Sequence, residues 1–336
     1  MIQSTIESAF ATVGRLTRSR WVRQGAPLVV LIASLGIMGR LIVREYASIT
    51  IDLHALNPVL ILVGLLAIVV SNLGGGFFWK KVLASCGAEL DLKESVRIWC
   101  LASPAKYAFS FVSLYAGRVY LAERAGVPRR ALLVSIPVEL ILIVLSGVIV
   151  LLLLAPFGGS IPVLGGSVLP RFVAPLLAVI VAGLLPSLVR WAIKLVPRGW
   201  VGDRATVTYP RMRAGLLVAI VNWLFLGAAS YFLVDAMMPI RLTLLPFCIC
   251  AVVLALLSGL VGITPLGMGV REVVLVLILA QVIPIPIATT VAILHRLLTV
   301  LAELLCGGIA LAASSRSGTR PFKSEVPDVF TRRSQN

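Results

Sequence analysis

From Val138 to Ala155 the chain carries a single charged residue, Glu139, among residues that are almost all Leu, Ile and Val. A helix of that composition has no polar face to turn to water, so it must be covered by protein or by lipid. Comparable runs recur at residues 27–43, 58–79, 131–155, 172–193, 214–235, 243–262, 267–283 and 287–312. Each approaches the ~20 residues that a helix needs to cross the hydrocarbon core of a bilayer. With 59% hydrophobic and 13% charged residues in 336, too little polar surface remains to coat a water-soluble globule. A soluble enzyme, a disordered chain and a nucleic-acid-binding domain are excluded. The expected fold class is an all-α polytopic membrane protein with about eight transmembrane helices.

The stretch 95–120 is also apolar, but it contains Lys106 and Arg118 and has charged flanks on both sides. Such a segment suits a re-entrant element buried in protein better than a lipid-facing span. The net charge of +16 falls in blocks between the apolar runs. No aromatic residues interleave with those blocks as a single-strand-binding groove requires, so no nucleic-acid partner is expected. Of 30 Lys and Arg, four precede the first run, nine fall between Lys80 and Arg130, six between Arg190 and Arg213, and five follow Ala312. The alternate loops hold only Arg44, Arg171 and Arg241. Basic residues collect on the cytoplasmic side, which places both termini in the cytoplasm of a bacterial-type inner (plasma) membrane. Residues 156–171 then form an external loop, and 95–120 must return to the side it entered.

Residues 1–26 read as a basic amphipathic surface helix, with Ile2, Ile6, Phe10 and Val13 at helical spacing beside Arg15, Arg18, Arg20 and Arg23. A signal peptide is the rival reading, but no A-x-A cleavage site follows the apolar run. Residues 314–336 read as a basic cytoplasmic tail. Five scattered cysteines and two histidines offer no zinc or disulfide spacing, so neither metal nor cofactor is expected. Trp21, Trp79, Trp99, Trp191 and Trp200 fall mostly near cytoplasmic boundaries, as an aromatic belt does, and Asp235 falls at the outer interface.

A shift of about 157 positions lays 27–43 on 172–193, 58–79 on 214–235, 131–155 on 287–312, and Glu139 on Arg296. Each half also has an interrupted segment. One runs through Ser103-Pro104 to Gly117-Arg118, the other through Thr264-Pro265 to Gly269-Val270-Arg271. By the charge assignment, matched runs cross in opposite senses. Two inverted halves, 27–155 and 172–313, with Pro/Gly-broken helices fit an alternating-access transporter. Any two polytopic halves also align loosely, because spans and loops have similar lengths.

Seven ionisable residues lie within this apolar sequence: Lys106, Arg118, Glu139, Arg271, Glu272, Arg296 and Glu303. A charge at the centre of a lone helix costs roughly 2.5–3.5 kcal/mol on insertion scales, so these groups must face one another or a wet cavity. The four cations outnumber the three carboxylates, which suits an anionic headgroup, and the planar Arg fork is the better phosphate clamp. Arg118, Arg271, Arg296 and Lys106 are therefore the candidate headgroup-binding residues. Glu139, Glu272 and Glu303 are their charge partners, Glu139 alternatively coupling transport to protons. Plainer readings stand beside these. Lys106 and Arg118 could snorkel to the surface, Arg271-Glu272 could only hold a helix start, and His295 reads as a packing residue rather than a proton relay. Arg296 and Glu303, seven apart, share one helix face. Gly74-Gly75-Gly76 permits close helix approach or local unwinding.

Lys106-Tyr107, Ala116-Gly117-Arg118-Val119-Tyr120-Leu121-Ala122 and Arg124-Ala125-Gly126-Val127 together resemble the first-half motif of the lysylphosphatidylglycerol synthase transmembrane-region family. Pro265-Leu266-Gly267-Met268-Gly269-Val270-Arg271-Glu272 resembles its second-half motif, and Arg296-Leu297-Leu298-Thr299 fits its last span. The chain departs from that pattern at Ala108-Phe109-Ser110 and at Leu140. The resemblance covers residues 25–315. It implies the flippase half of the bacterial multiple peptide resistance factors, which moves aminoacylated phosphatidylglycerol to the outer leaflet. It also implies a standalone translocase without the soluble aminoacyl-transfer domain.

The expected function is movement of a membrane lipid between leaflets, the partners being an anionic phospholipid or a lipid-linked glycan. One alternative is an integral-membrane transferase acting on a lipid phosphate, which would need a base or metal cluster at the membrane face. Another is a non-catalytic membrane partner of a separate lipid-modifying enzyme.

Overall fold

The computed structural model describes residues 56–109, 111–154, 173–195, 208–261 and 269–316. The amphipathic N-terminus, the 27–43 run, the 156–171 loop and nearly all of the 314–336 tail lie outside the described residues. Those described form α1 (Pro58–Ser85), α2 (Leu92–Ala102), α3 (Phe111–Arg124), α4 (Arg129–Leu154), α5 (Val173–Gly183), α6 (Leu185–Leu195), α7 (Tyr209–Met237), α8 (Leu245–Val261), α9 (Val270–Leu279) and α10 (Ile285–Arg316). Short helical turns, Ser103–Ala105 and Lys106–Phe109, join α2 to α3, and Leu242–Leu244 precedes α8. There is no strand among them.

Among the described residues, five helices are long and apolar enough to cross a membrane: α1, α4, α7, α8 with its preceding turn, and α10. The count is six if α5 and α6 form one span, bent by 41°. Pro186 sits just past that bend and cannot donate to the carbonyl of Ala182. The chain is a multi-pass helical membrane protein. Val59, Leu62, Leu66, Val70 and Leu73 form an exposed apolar stripe at helical spacing on α1, and Leu301, Leu305 and Ile309 do the same on α10. Water would penalise such stripes; lipid does not.

The long helices α1 and α7 run antiparallel at the centre. At one end Asn57 N–H donates to the Ala236 carbonyl at 3.0 Å, and at the other Thr208 N–H donates to that of Ser85 at 2.8 Å. Between them Ser71 Oγ donates to the Asn222 carbonyl at 3.1 Å. Asn57 and Pro58 start α1 for local reasons: the Asn57 side chain accepts the Val59 N–H, and proline needs no acceptor in a first turn. Between helices in lipid, association depends on close packing rather than on expelling water, so small residues matter. Gly74, Gly75 and Gly76 lie in unbroken helix and receive Asn222, the Trp99 ring and Val96 in turn. Of the two expected roles for this triplet, the structure has close approach.

Two hairpins enter the bundle from opposite ends. In the first, α2 runs inward from the Ser85 end, with Ser95 Oγ donating to the Gly76 carbonyl at 2.8 Å. Its tip reaches α10, where Pro104 and the Cys100 carbonyl border Gly307. Helix α3 then returns: Ala122 and Val127 join Leu83, Leu90, Ile98 and Leu132 in one apolar cluster at the Ser85 end. Within residues 95–120 the chain thus runs inward along α2 and back along α3. The second hairpin, α8 and α9, opens at the Asn57 end, where Ile283 and Phe247 pack with Met237 and Met238.

Here the structure corrects one expectation. Residues 267–283 were to be a full span, but the helix within them, α9, has ten residues. At 1.5 Å per residue it is about 15 Å long, half of the hydrocarbon core. Helix α4 leads from the Ser85 end to the Asn57 end, and α10 leads back, its Ser314 hydroxyl receiving Arg97 of α2 at 2.8 Å.

Close approach by glycine is testable. A Cβ on Gly227 would lie 2.7 Å from Ile249 Cα, and one on Gly76 would lie 2.6 Å from Val96 Cα. Gly227→Ala or Gly76→Ala is expected to cost about 1–3 kcal/mol, lowering the unfolding midpoint in detergent. Gly308→Ala, which meets nothing within 4 Å, is expected to leave the midpoint unchanged or slightly raised.

Candidate functional site

The seven ionisable residues divide into two groups, and α10 carries the wall of the larger one. His295, Arg296 and Glu303 are all buried on it, Arg296 and Glu303 facing the same way as their spacing predicts. Lys106, at the tip of the first hairpin, sets its ammonium 2.5 Å from Glu303 Oε1. Its neighbour Tyr107 lies under the Arg296 guanidinium, 5.5 Å from ring centre to Cζ. From the second hairpin, Glu272 Oε1 meets Arg271 Nε at 3.5 Å and Arg296 Nε at 3.9 Å. Glu272 Oε2 accepts the Gly269 N–H at 2.8 Å. Gly269 has φ +86°, a conformation that favours glycine and turns the chain into α9.

One carboxylate thus serves three partners. It caps a helix with one oxygen and faces two guanidiniums with the other. The structural reading of Arg271-Glu272 holds for Glu272, while Arg271 and Arg296 are left sharing a counter-ion. Lys106, Arg271 and Arg296 against Glu272 and Glu303 leave one cation in excess. Beside them, Arg271, Glu272 and His295 line a small cavity whose apolar walls are Val252, Ala255, Leu256, Leu275 and Ala292. His295 Nε2 lies 3.2 Å from the Leu226 carbonyl, a satisfied packing position as expected.

The second group joins the two hairpin-adjacent helices α3 and α4. Arg118 Nη1 donates to Glu139 Oε1 at 2.7 Å, and both side chains are at most 5% exposed. The guanidinium lies 3.7 Å from the centre of the Trp99 ring, with Tyr115 at 5.5 Å and Trp79 at 6.0 Å. Aromatic faces attract cations, most strongly where water is excluded. Trp99 Nε1 in turn donates to Asn72 Oδ1 at 3.2 Å. Arg118 is buried in its ion pair, and the Lys106 ammonium is turned to Glu303.

Composition could not reveal this aromatic surround. Trp79 and Trp99 pack around Arg118, whereas Trp191 is 61% exposed. A signal was present for Tyr115, three residues before Arg118 and so on the same helix face. Tyr107 was visible only as part of a motif. Among the described residues, five buried polar atoms lack a hydrogen bond of good geometry: Asn72 Nδ2, Arg118 Nε, Glu139 Oε2, Tyr107 Oη and Glu303 Oε2. They divide between the same two groups.

No protein-family model matches this chain, and no curated protein does. The likeness to the lysylphosphatidylglycerol synthase transmembrane region therefore rests on the motifs alone.

The Arg118–Glu139 pair makes a sharp prediction. Arg118→Met alone strands a buried carboxylate and is expected to cost about 3–5 kcal/mol. Arg118→Met with Glu139→Leu removes both charges and is expected to regain most of that loss in the same unfolding measurement. A loss in the double variant equal to the sum of the losses in Arg118→Met and Glu139→Leu alone would show that the pair is not coupled.

Proposed function

We propose that this chain is a lipid translocase that moves an anionic or phosphate-bearing headgroup, of a phospholipid or a lipid-linked sugar, between the leaflets of a bacterial-type inner membrane. The observation that carries the reading is the pair of guanidiniums, part-buried Arg271 and buried Arg296, sharing one oxygen of Glu272. A headgroup phosphate would take over as their counter-ion, binding through the planar forks. Glu272 and Glu303 hold the cations in place and compete with the substrate for them. The acyl chains stay in lipid, so desolvation of the headgroup is the cost that the site must offset.

The architecture supports an inverted repeat. Matched helices α1 and α7 run antiparallel, α4 and α10 cross in opposite senses, and the two hairpins open at opposite ends. Each hairpin's returning helix is also paired with the last long helix of its half, with the charges exchanged. Arg118 meets Glu139 in the first half, and Glu272 meets Arg296 in the second. Inverted repeats with interrupted helices fit alternating access. Lys80, Lys81, Lys93, Arg129, Arg130, Arg211 and Arg213 gather toward the Ser85 end, which favours a cytoplasmic placement for that end and for both termini. The motif resemblance points the same way, to a translocase acting on membrane lipids.

Exchange of labelled phosphatidylglycerol and labelled phosphatidylcholine in proteoliposomes tests the reading. Protein-dependent exchange favouring phosphatidylglycerol is expected, with a drop of about tenfold or more in Arg271→Ala, the loss of one charged hydrogen-bonding group. Equal exchange of both lipids, unchanged by the substitution, would remove the headgroup mechanism. Folded protein without exchange would favour a partner of a separate lipid-modifying enzyme.

A further inference from the structure

We propose that Cys100 and Cys306 are a redox-active dithiol, which a lipid-soluble quinone oxidises to a disulfide that pins the first hairpin to α10. The dithiol stands independently of the translocase reading; its effect on lipid exchange rests on that reading.

The sequence scatters its cysteines, and all five are free thiols in the structure. Folding brings two of them together. The side chains of Cys100 on α2 and Cys306 on α10 are hydrogen-bond partners, and the Asn72 side chain of α1 also reaches Cys306. The helices meet here with no side chain between their backbones: a Cβ on Gly307, next to Cys306, would lie 3.1 Å from the Cys100 carbonyl oxygen. A disulfide needs Cα atoms within about 7 Å of each other. Backbones this close, with the thiols already in contact, need little movement to supply that. Cys248 and Cys250, two apart on α8, point to different faces of one helix and cannot bridge.

Where the pair sits selects its oxidant. Cys100 lies about 12 Å along α2 from Leu92, and Cys306 about 15 Å along α10 from Arg316. Both are buried, so a charged, water-borne couple such as glutathione has no path to them. Lipid does come close, because Leu305 beside Cys306 and Ile309 one turn beyond it are exposed. A quinone dissolved in the bilayer approaches along that stripe. Oxidation breaks two S–H bonds and makes one S–S bond; the two electrons and two protons pass to the quinone, which leaves as the quinol. A small neutral dithiol reverses the step by exchange.

The position also gives the bond a consequence. Cys306 is three residues past Glu303, one turn along the same helix, and Cys100 is six before Lys106. The bridge therefore fixes α2 to α10 beside the Lys106–Glu303 contact. Alternating access requires one repeat to move against the other, and a covalent staple between them stops it.

The test treats wild-type protein in proteoliposomes with a fully substituted benzoquinone, which forms no stable ring adduct, and in parallel with oxidised glutathione. Tryptic cleavage after Arg97, Lys106, Arg296 and Arg316 leaves each thiol alone in its own peptide, 98–106 or 297–316. After alkylation and digestion, mass spectrometry is expected to find the two peptides joined by the quinone and not by oxidised glutathione. Exchange of labelled phosphatidylglycerol is expected to fall to the protein-free rate and to return with dithiothreitol. Cys100→Ala and Cys306→Ala, neither able to bridge, are each expected to exchange equally with and without quinone. Separate alkylated peptides after quinone treatment would overturn the dithiol, and equal joining by oxidised glutathione would overturn the lipid-borne oxidant. Joined peptides with unchanged exchange, or a quinone-dependent loss in both alanine variants, would overturn the lock. Joined peptides in a protein that shows no exchange even when reduced would overturn translocation and leave the dithiol standing.

Discussion

A cation placed among lipid chains must bring its counter-charge with it, and most of this structure follows from that requirement. Lys106 and Arg118 sit on helical pieces too short and too polar to persist in a bilayer alone. They persist because Glu303 and Glu139 reach them from long apolar helices. In a solvent as apolar as leucine, helices gain little from hiding their side chains from it. Ion pairs, aromatic faces and glycine-lined contacts therefore fix where the hairpins lie. The apolar stripes on α1 and α10 meet lipid and carry no such information.

The two ion-pair groups have different characters. Arg118 is enclosed by three aromatic rings and has a carboxylate of its own, which suits a clamp between α3 and α4. Around α10 the charges are shared and do not balance, and a helix cap already occupies part of Glu272. Imbalance of that kind is costly in a protein interior unless something else supplies the missing anion. The same helix also presents Glu303, which Lys106 meets with one oxygen, so the charge imbalance lies along one side of one helix.

Much of the fold was legible in the sequence, because a membrane turns composition into length and length into spans. That residues 95–120 hold helical pieces rather than one lipid-facing span was legible in Lys106 and Arg118. Residues 267–283 misled because hydropathy does not distinguish a short helix packed inside protein from one that crosses lipid. Arg271 and Glu272 at its start were the available warning. The seven charges could be named from the sequence, since each is anomalous among apolar neighbours. Their division into two groups could not, because it depends on which hairpin tip meets which helix. Trp99 and Tyr107 were hidden for a related reason: an aromatic residue in a membrane protein has several ordinary uses, and only its neighbours in space choose among them.

The Lys106–Glu303 contact spans 197 positions in the chain. During synthesis the first hairpin emerges, and α4 after it, long before the last helix exists. Until α10 arrives, the hairpin tip has neither the carboxylate that neutralises Lys106 nor the Gly307 surface against which Pro104 rests. Those contacts can form only once α10 has been made, so the last long helix completes the surroundings of an element made near the beginning.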